Sequence, residues 1–260
     1  MIHTTMALLN RLGLLINKDK STLHPVQDIE FIGARLDSVT ARAYLPRQRF
    51  ATIQEIITGM LTMPTTTVLT CLRLMGHMPS TTYIVHHARL HFRCFQLWVA
   101  TVYIPSRHPR SKRITIPPNV LASLPCWTMP NNLLAGVPFQ QTEPTIQITT
   151  DASLLGWGAH MDSCEIQGKW SPNETLLNIN ILEIRAVKNA CAHFASDIAN
   201  HTVRILTDDI CTMFYLNRQG GARSLCAEAI RLWNSCIRNQ VTLIASYLPG
   251  VNNTREDSLS

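Results

Sequence analysis

No stretch of this chain holds the roughly 18 to 20 consecutive apolar residues that cross a bilayer. The opening Met1-Ile2-His3-Thr4-Thr5-Met6 has neither the basic lead nor the small-residue cleavage site of a secretory signal. These absences predict an intracellular protein, cytoplasmic or nuclear, with no membrane partner. Close cysteine pairs are lacking as well. The eight cysteines stand at 71, 94, 126, 164, 191, 211, 226 and 236, a spacing that argues against zinc fingers and redox dithiols and predicts reduced, mostly buried thiols. What the chain does have is apolar content, 46% of 260 residues, enough for one sizeable core or two modest ones. Two small domains are expected.

Charge is divided unevenly. Residues 1–143 carry 14 Lys/Arg against 6 Asp/Glu, and the remainder 9 against 11, so formal charges of +8 and −2 stand side by side. A basic half beside a mildly acidic one suggests a polyanion-binding surface joined to a module whose carboxylates have a purpose; ordinary scatter of solvated charge is the plainer alternative.

Along the chain, residues 5–15 read as a helix. Asp28 to Pro46 reads as a hairpin of two strands, Glu30 to Leu36 and Ala41 to Leu45. From Pro46 to Tyr103 apolar residues recur at three and four, broken near Pro64 and Pro79, which predicts two or three helices. Residues 104–143 hold seven of the fourteen prolines together with Arg107, Arg110, Lys112 and Arg113. They read as a linker or connection whose basic patch either tracks phosphates or is simply solvated. After residue 144 the expected order is βββαβααβ: strands at 145–151, 156–160 and 165–170, a helix from Ile181 to Ala199, a strand at 203–206, helices at 209–216 and 224–239, and a strand at 241–247. That order predicts an α/β fold with a mixed five-stranded sheet flanked by helices, preceded by an α+β part of hairpin and helices. The boundaries are 1–103, 104–143 and 144–260.

Four acids fall at informative places. Asp151 ends the first strand of that sheet, Glu183 sits in the first turn of the long helix, Asp208 ends the fourth strand, and Asp257 follows the last. Ligands bind where strand ends face a cleft, so acids far apart in sequence can meet there. Carboxylates held close repel one another unless a cation joins them, and magnesium takes hard oxygen ligands while keeping positions for water or phosphate. Two ions about 4 Å apart can activate water and stabilise a leaving oxygen. A single Asp at a strand end is more often a turn or cap residue.

The wording around these acids resembles a known family. Thr150-Asp151-Ala152-Ser153 with Gly156-Trp157-Gly158-Ala159, then Asn180-Ile181-Leu182-Glu183-Ile184-Arg185-Ala186-Val187, then Leu206-Thr207-Asp208-Asp209, then Tyr247-Leu248-Pro249-Gly250-Val251-Asn252-Asn253 leading to Asp257, resemble the four motifs of the ribonuclease H domain of retroelement reverse transcriptases. Together with the Gln219-Gly220-Gly221 turn, they are most similar to DIRS-type elements, with gypsy-type next. Leu12 to Asn17, Lys18, Lys20, Ser21 and Ile29-Glu30-Phe31-Ile32-Gly33 resemble the segment of a reverse transcriptase just past its polymerase acids, with thumb and connection following. The polymerase's own Tyr-x-Asp-Asp hairpin does not occur, so these residues alone are not expected to synthesise DNA.

The resemblance implies a ribonuclease H-like fold for 144–260. It implies a hydrolase that cuts the RNA strand of RNA-DNA hybrids endonucleolytically, with two Mg2+ ions or Mn2+, inside a retrotransposon polyprotein that includes an upstream polymerase part. Asp151 and Asp208 would be central metal ligands; Glu183 would ligate an ion near the RNA, and Asp257 the ion that activates water. Asn180 would contact the hybrid in its minor groove, where 2′-hydroxyls mark RNA, or else cap its helix. Asp209 reads as the cap of the next helix. Trp157 and Trp170 read as core residues in preference to base-stacking ones. His86, His87 and His91 read as surface or core histidines, having no Cys or carboxylate partner near in sequence. Two other readings stay open: a catalytically inactive, truncated retroelement remnant that only binds nucleic acid, and another ribonuclease H-like enzyme such as an integrase or resolvase. The Asn180 to Glu183 motif and the polymerase-like hairpin argue against the latter.

Overall fold

The computed structural model describes residues 2–220 and 223–249. Its first half opens with α1 (Ile2–Arg11), then β1 (Asp28–Phe31), β2 (Ala34–Asp37) and β3 (Arg42–Tyr44). The expected strand Glu30 to Leu36 is therefore itself a hairpin. Ile32 (φ 48°) and Gly33 (φ 75°) both adopt the left-handed conformation at its tip, which a two-residue turn of this hand requires, and Phe31 pairs with Ala34. Helices α2 (Arg47–Thr62) and α3 (Val68–His77) are separated by β4 (Thr65–Thr67), three β-branched residues placed after Pro64 in the expected helix break. Next come α4 (Ala88–Val102), β5 (Arg113–Thr115), α5 (Pro118–Leu121), α6 (Pro130–Leu133) and β6 (Val137–Pro138).

The Pro-rich stretch is well ordered by its own chemistry. Pro118 and Pro130 open short helices, where the missing N–H costs nothing, β5 pairs with β4, and β6 pairs with β3. Ile114, Ile116, Val120, Leu124, Trp127 and Leu133 from this stretch join Phe50, Ile53, Ile57 and Met60 of α2 in one buried core. The α2 residues recur at three and four, the stripe a helix buries on one face.

The second half runs β7 (Ile146–Ala152), β8 (Gly156–Met161), β9 (Cys164–Lys169), α7 (Ile179–His193), α8 (Ala195–Ile198), β10 (Thr202–Thr207), α9 (Ile210–Asn217), α10 (Arg223–Arg238) and β11 (Thr242–Tyr247). The sheet order is β11-β10-β7-β8-β9. β7, β8 and β9 form the antiparallel meander, while β10 lies parallel to β7 and β11 parallel to β10. This is the mixed five-stranded sheet with flanking helices that the element order predicts. The long helix begins two residues before Ile181, because Asn178 caps it, and it breaks at Phe194, leaving Ala195–Ile198 as a separate turn.

The halves meet along α4. Leu90 is buried in the second core, and His87 Nδ1 lies 2.7 Å from Gln219 Nε2, its ring 5.3 Å from that of Trp233. Burial, with His91 and His86 nearby, lowers the His87 pKa to about 4, so at neutral pH the ring packs uncharged. No helix among the described residues is long and apolar enough to cross a membrane.

Candidate metal centre

Parallel pairing of β10 with β7 sets Leu206 opposite Thr149, so both strands finish at the same end of the sheet with Asp151 and Asp208 side by side. α7 packs across β7 and β8 and enters from that end. This brings Glu183, in its second turn, over the strand ends. Asp151, Glu183 and Asp208 each offer an oxygen within 4.8 Å of the others. Asp151 and Glu183 are buried and Asp208 is half-buried.

The electrostatics follow from that crowding. Glu183 Oε1 accepts a hydrogen bond from the Ala152 N–H at 3.3 Å, whereas Oε2 is buried with no hydrogen-bond partner among the described residues. Burial first, then the charges of Asp151, Asp208 and Asp209, push the Glu183 carboxyl up to about 9. An orphaned, buried carboxylate oxygen among two further carboxylates is a donor set that fits a hard divalent cation. The cation would supply the positive charge that allows all three groups to ionise together.

Around the triad, Asp209 caps α9: its oxygens accept from Cys211 N at 3.0 Å and Thr212 N at 2.8 Å, while its own N–H donates to Thr207 Oγ1 at 3.1 Å. Asn180 does not cap α7. The cap is Asn178, whose Oδ1 accepts from Asn180 N at 2.9 Å, and Asn180 stands half-buried in the first turn. Arg107, Arg110 and Lys112 lie between α4 and β5, and Arg113 opens β5, in the first half. The carbonyls of Arg110 and Lys112 accept from Leu69 N and Val68 N, Lys112 Nζ reaches Val102 O at 3.4 Å, and the Arg107, Arg110 and Arg113 side chains are exposed. Asp257 lies outside the described residues.

Trp170 is buried, and Trp157 packs partly buried against the same small cluster with Leu182 and Ala186. The Trp170 indole N–H donates to Ser153 O at 3.0 Å, tying the segment before α7 to the end of β7. A second polar arrangement escaped the sequence reading. Arg185, two residues past Glu183, donates to Glu174 Oε1 at 2.9 Å and to Glu228 Oε1 at 2.8 Å, and Arg231 reaches the same Glu228 oxygen at 2.7 Å. Glu174 Oε2 in turn accepts from Ser171 N and Oγ. The local half of this was visible as a Ser-x-x-Glu capping pattern at 171–174; its link to Glu228 had no sequence signal.

No protein-family model matches the chain, and no curated protein matches it. Among solved structures it is similar to LC11-RNase H1 in complex with an RNA/DNA hybrid, at 15% identity and TM-score 0.39, covering 44% of this chain and 93% of that one. It is similar to RNase H1 from the halophilic archaeon Halobacterium salinarum at 16% identity and TM-score 0.36, covering 44% and 92%. It is also similar to the foamy viral protease-reverse transcriptase in complex with RNA/DNA hybrid, at 12% identity and TM-score 0.40, covering 97% of this chain and 34% of that one. The chain thus spans nearly the whole of the ribonuclease H chains and about a third of the foamy viral chain.

Proposed function

We propose that residues 144–260 form a metal-dependent ribonuclease H domain that hydrolyses the RNA strand of RNA-DNA hybrids, and that the chain is part of a retroelement reverse transcriptase. The observation that carries this reading is the triad itself: three acids from two adjacent parallel strand ends and one helix, within 4.8 Å of one another, with one buried oxygen of Glu183 lacking a hydrogen-bond partner among the described residues. A structural role would pair the Glu183 charge with a cationic side chain. Among the described residues, the groups facing Glu183 are further acids.

In this reading Asp151, Glu183 and Asp208 hold Mg2+, or Mn2+ in its place, with Asp257 as a fourth ligand. Two such ions would activate water and stabilise the leaving 3′-oxygen in an in-line displacement. The chain's own residues do the positioning. Ala152 N–H orients Glu183 through Oε1, and the Asp209 cap fixes the start of α9 directly after Asp208. Asn180 would meet the hybrid's minor groove. Residues 1–103 are read as the palm end and thumb of the reverse transcriptase and 104–143 as its connection, with Arg107, Arg110, Lys112 and Arg113 meeting phosphates. The motif wording favours a DIRS-type element over a gypsy-type one.

The test is cleavage of a labelled RNA-DNA hybrid in Mg2+, with Asp208→Asn and with duplex DNA as controls. Metal-dependent RNA cutting that disappears in the variant is expected. Hybrid binding without cutting by the native chain would instead establish an inactive binding remnant.

A further inference from the structure

β9 closes one side of the five-stranded sheet, and Cys164, Glu165, Gln167 and Lys169 along it are exposed. The Trp170 N–H donates to Leu155 O at 3.1 Å, and β8 and β9 pair without interruption from Gly156 opposite Lys169 to Met161 opposite Cys164. Hydrogen-bonded and non-hydrogen-bonded pairs alternate along an antiparallel ladder. Counting back from Trp170, Gly168, Ile166 and Cys164 turn their backbone groups to β8, while Glu165, Gln167 and Lys169 turn theirs outward. Sheet proteins blunt such an edge with prolines, bulges or very short strands. β9 has six residues, no proline and no bulge.

The side chains divide in the same way. Ile166 packs against the second core, and a Cβ at Gly168 would stand 2.5 Å from Trp157 Nε1, so these two positions face the covered side of the sheet. Glu165, Gln167 and Lys169 share the other face. Glu165 and Lys169 stand two residues to either side of Gln167 and carry opposite charge. A strand laid antiparallel, with Gln167 opposite Gln167 of a second copy, therefore sets each Glu165 opposite a Lys169, at pairs whose backbone groups all face the partner. Sliding the pairing by two residues puts both charges opposite uncharged residues, Gln167 and either Ser163 or Ser171. Parallel alignment in register sets like charges side by side, which is destabilising. The two charges thus select one partner strand, this same strand reversed.

We propose that a second copy of this chain pairs with the β9 edge, antiparallel about Gln167, so that two five-stranded sheets continue as one through reciprocal contacts of Glu165 with Lys169. The pairing makes no use of the triad, so it stands or falls apart from the hybrid-cleaving reading. A contact of this size is weak, and exposed charge pairs are screened by salt. The experiment is sedimentation equilibrium of the full chain over a wide concentration range at low salt. The variants are Lys169→Glu, Glu165→Lys, the two combined, and Gln167→Pro, each checked for its fold by circular dichroism.

The native chain should show a monomer–dimer equilibrium. Each single charge reversal should weaken it about tenfold, because both symmetric pairs turn from attraction to repulsion, and the double reversal should restore it. Gln167→Pro removes an outward N–H that β8 does not use, a place where an edge strand accepts proline, and should abolish the dimer. Register is read by cross-linking in a Cys164→Ser background under copper-catalysed air oxidation. Gln167→Cys should form a disulfide-linked dimer, since Cα atoms of a hydrogen-bonded pair lie roughly 5.5 Å apart. Glu165→Cys, roughly 14 Å along the strands from its own counterpart, should not. A chain that stays monomeric to its solubility limit overturns the proposal, as does a dimer indifferent to the charge reversals or one that Gln167→Cys fails to cross-link. If Gln167→Pro does not fold, the charge reversals and their mutual rescue decide.

Discussion

Helix α7 carries Glu183 toward the strand ends and, two residues on, Arg185 toward α10, and the carboxylates at these two places sit in opposite surroundings. Glu183 and Glu228 are both buried, and each has an Oε2 without a hydrogen-bond partner among the described residues. Around Glu228, burial alone would raise the carboxyl, but hydrogen bonds and charge from Arg185 and Arg231 bring it below the ordinary range. Around Glu183, burial and the neighbouring acids act in the same direction and push it up to about 9. The contrast teaches how a buried acid reveals its role. An acid that arrives with its counter-charge completes a structural contact, while acids buried against each other leave a charge to be supplied from outside the chain.

The widest separation between the two clusters should appear on substitution. Asp151→Asn should reduce metal-dependent hybrid cleavage by more than about a hundredfold, since even residues that only orient metal ligands cost about 10 to 100-fold, and it should leave the thermal midpoint unchanged or raised because a like charge is removed. Glu228→Ala should do the reverse, costing about 1.5 to 3 kcal/mol in urea unfolding by removing the carboxylate that Arg185 and Arg231 share. A destabilised Asp151→Asn, or a fully stable Glu228→Ala, would break the comparison.

Proton linkage sharpens the contrast next. Glu183 has a folded pKa above its unfolded value near 4.5, so the folded metal-free protein binds more protons, and this group lowers stability as pH rises from about 4.5 to about 9, by at most ~1.4 kcal/mol per pH unit. Glu228 has a lowered pKa, so its contribution is present above the ordinary carboxylate range and lost as pH falls through the folded pKa. Chemical unfolding followed across pH should show Glu183→Gln removing the loss at high pH and Glu228→Gln removing the loss at low pH. Mg2+ should also suppress the high-pH loss in the native chain, with proton release on binding measurable by calorimetry in two buffers. The smallest effect belongs to Glu174→Gln. This side chain is 31% exposed, and its pair with Arg185 should contribute about 0.2 to 1 kcal/mol, read as a small shift in the denaturation midpoint.

Much of the second half was legible because its signals are local. The meander, the helix spacing and the Asp209 cap each depend on neighbours within a few residues. The errors had local causes too: Ile32 is a β-branched residue in a left-handed turn, which its side chain disfavours, so the hairpin inside Glu30 to Leu36 was invisible. Asn178 and Asn180 are equivalent as cap candidates until the backbone shows which one stands outside the helix. Neither the pairing of β4 with β5 nor the Glu228 to Arg185 contact leaves a sequence pattern, since the first joins segments about 50 residues apart and the second 43.

By itself the sequence determined the order of elements in the second half and that Asp151 and Asp208 stand at strand ends, because periodicity, caps and turns are properties of adjacent residues. Only the tertiary structure decided that β10 lies parallel against β7, that α7 crosses over them, and that Glu183 has, among the described residues, no cationic partner while Arg185 takes Glu228. Those outcomes depend on which buried surfaces meet, and burial is what turns an ordinary carboxylate into one held near 9.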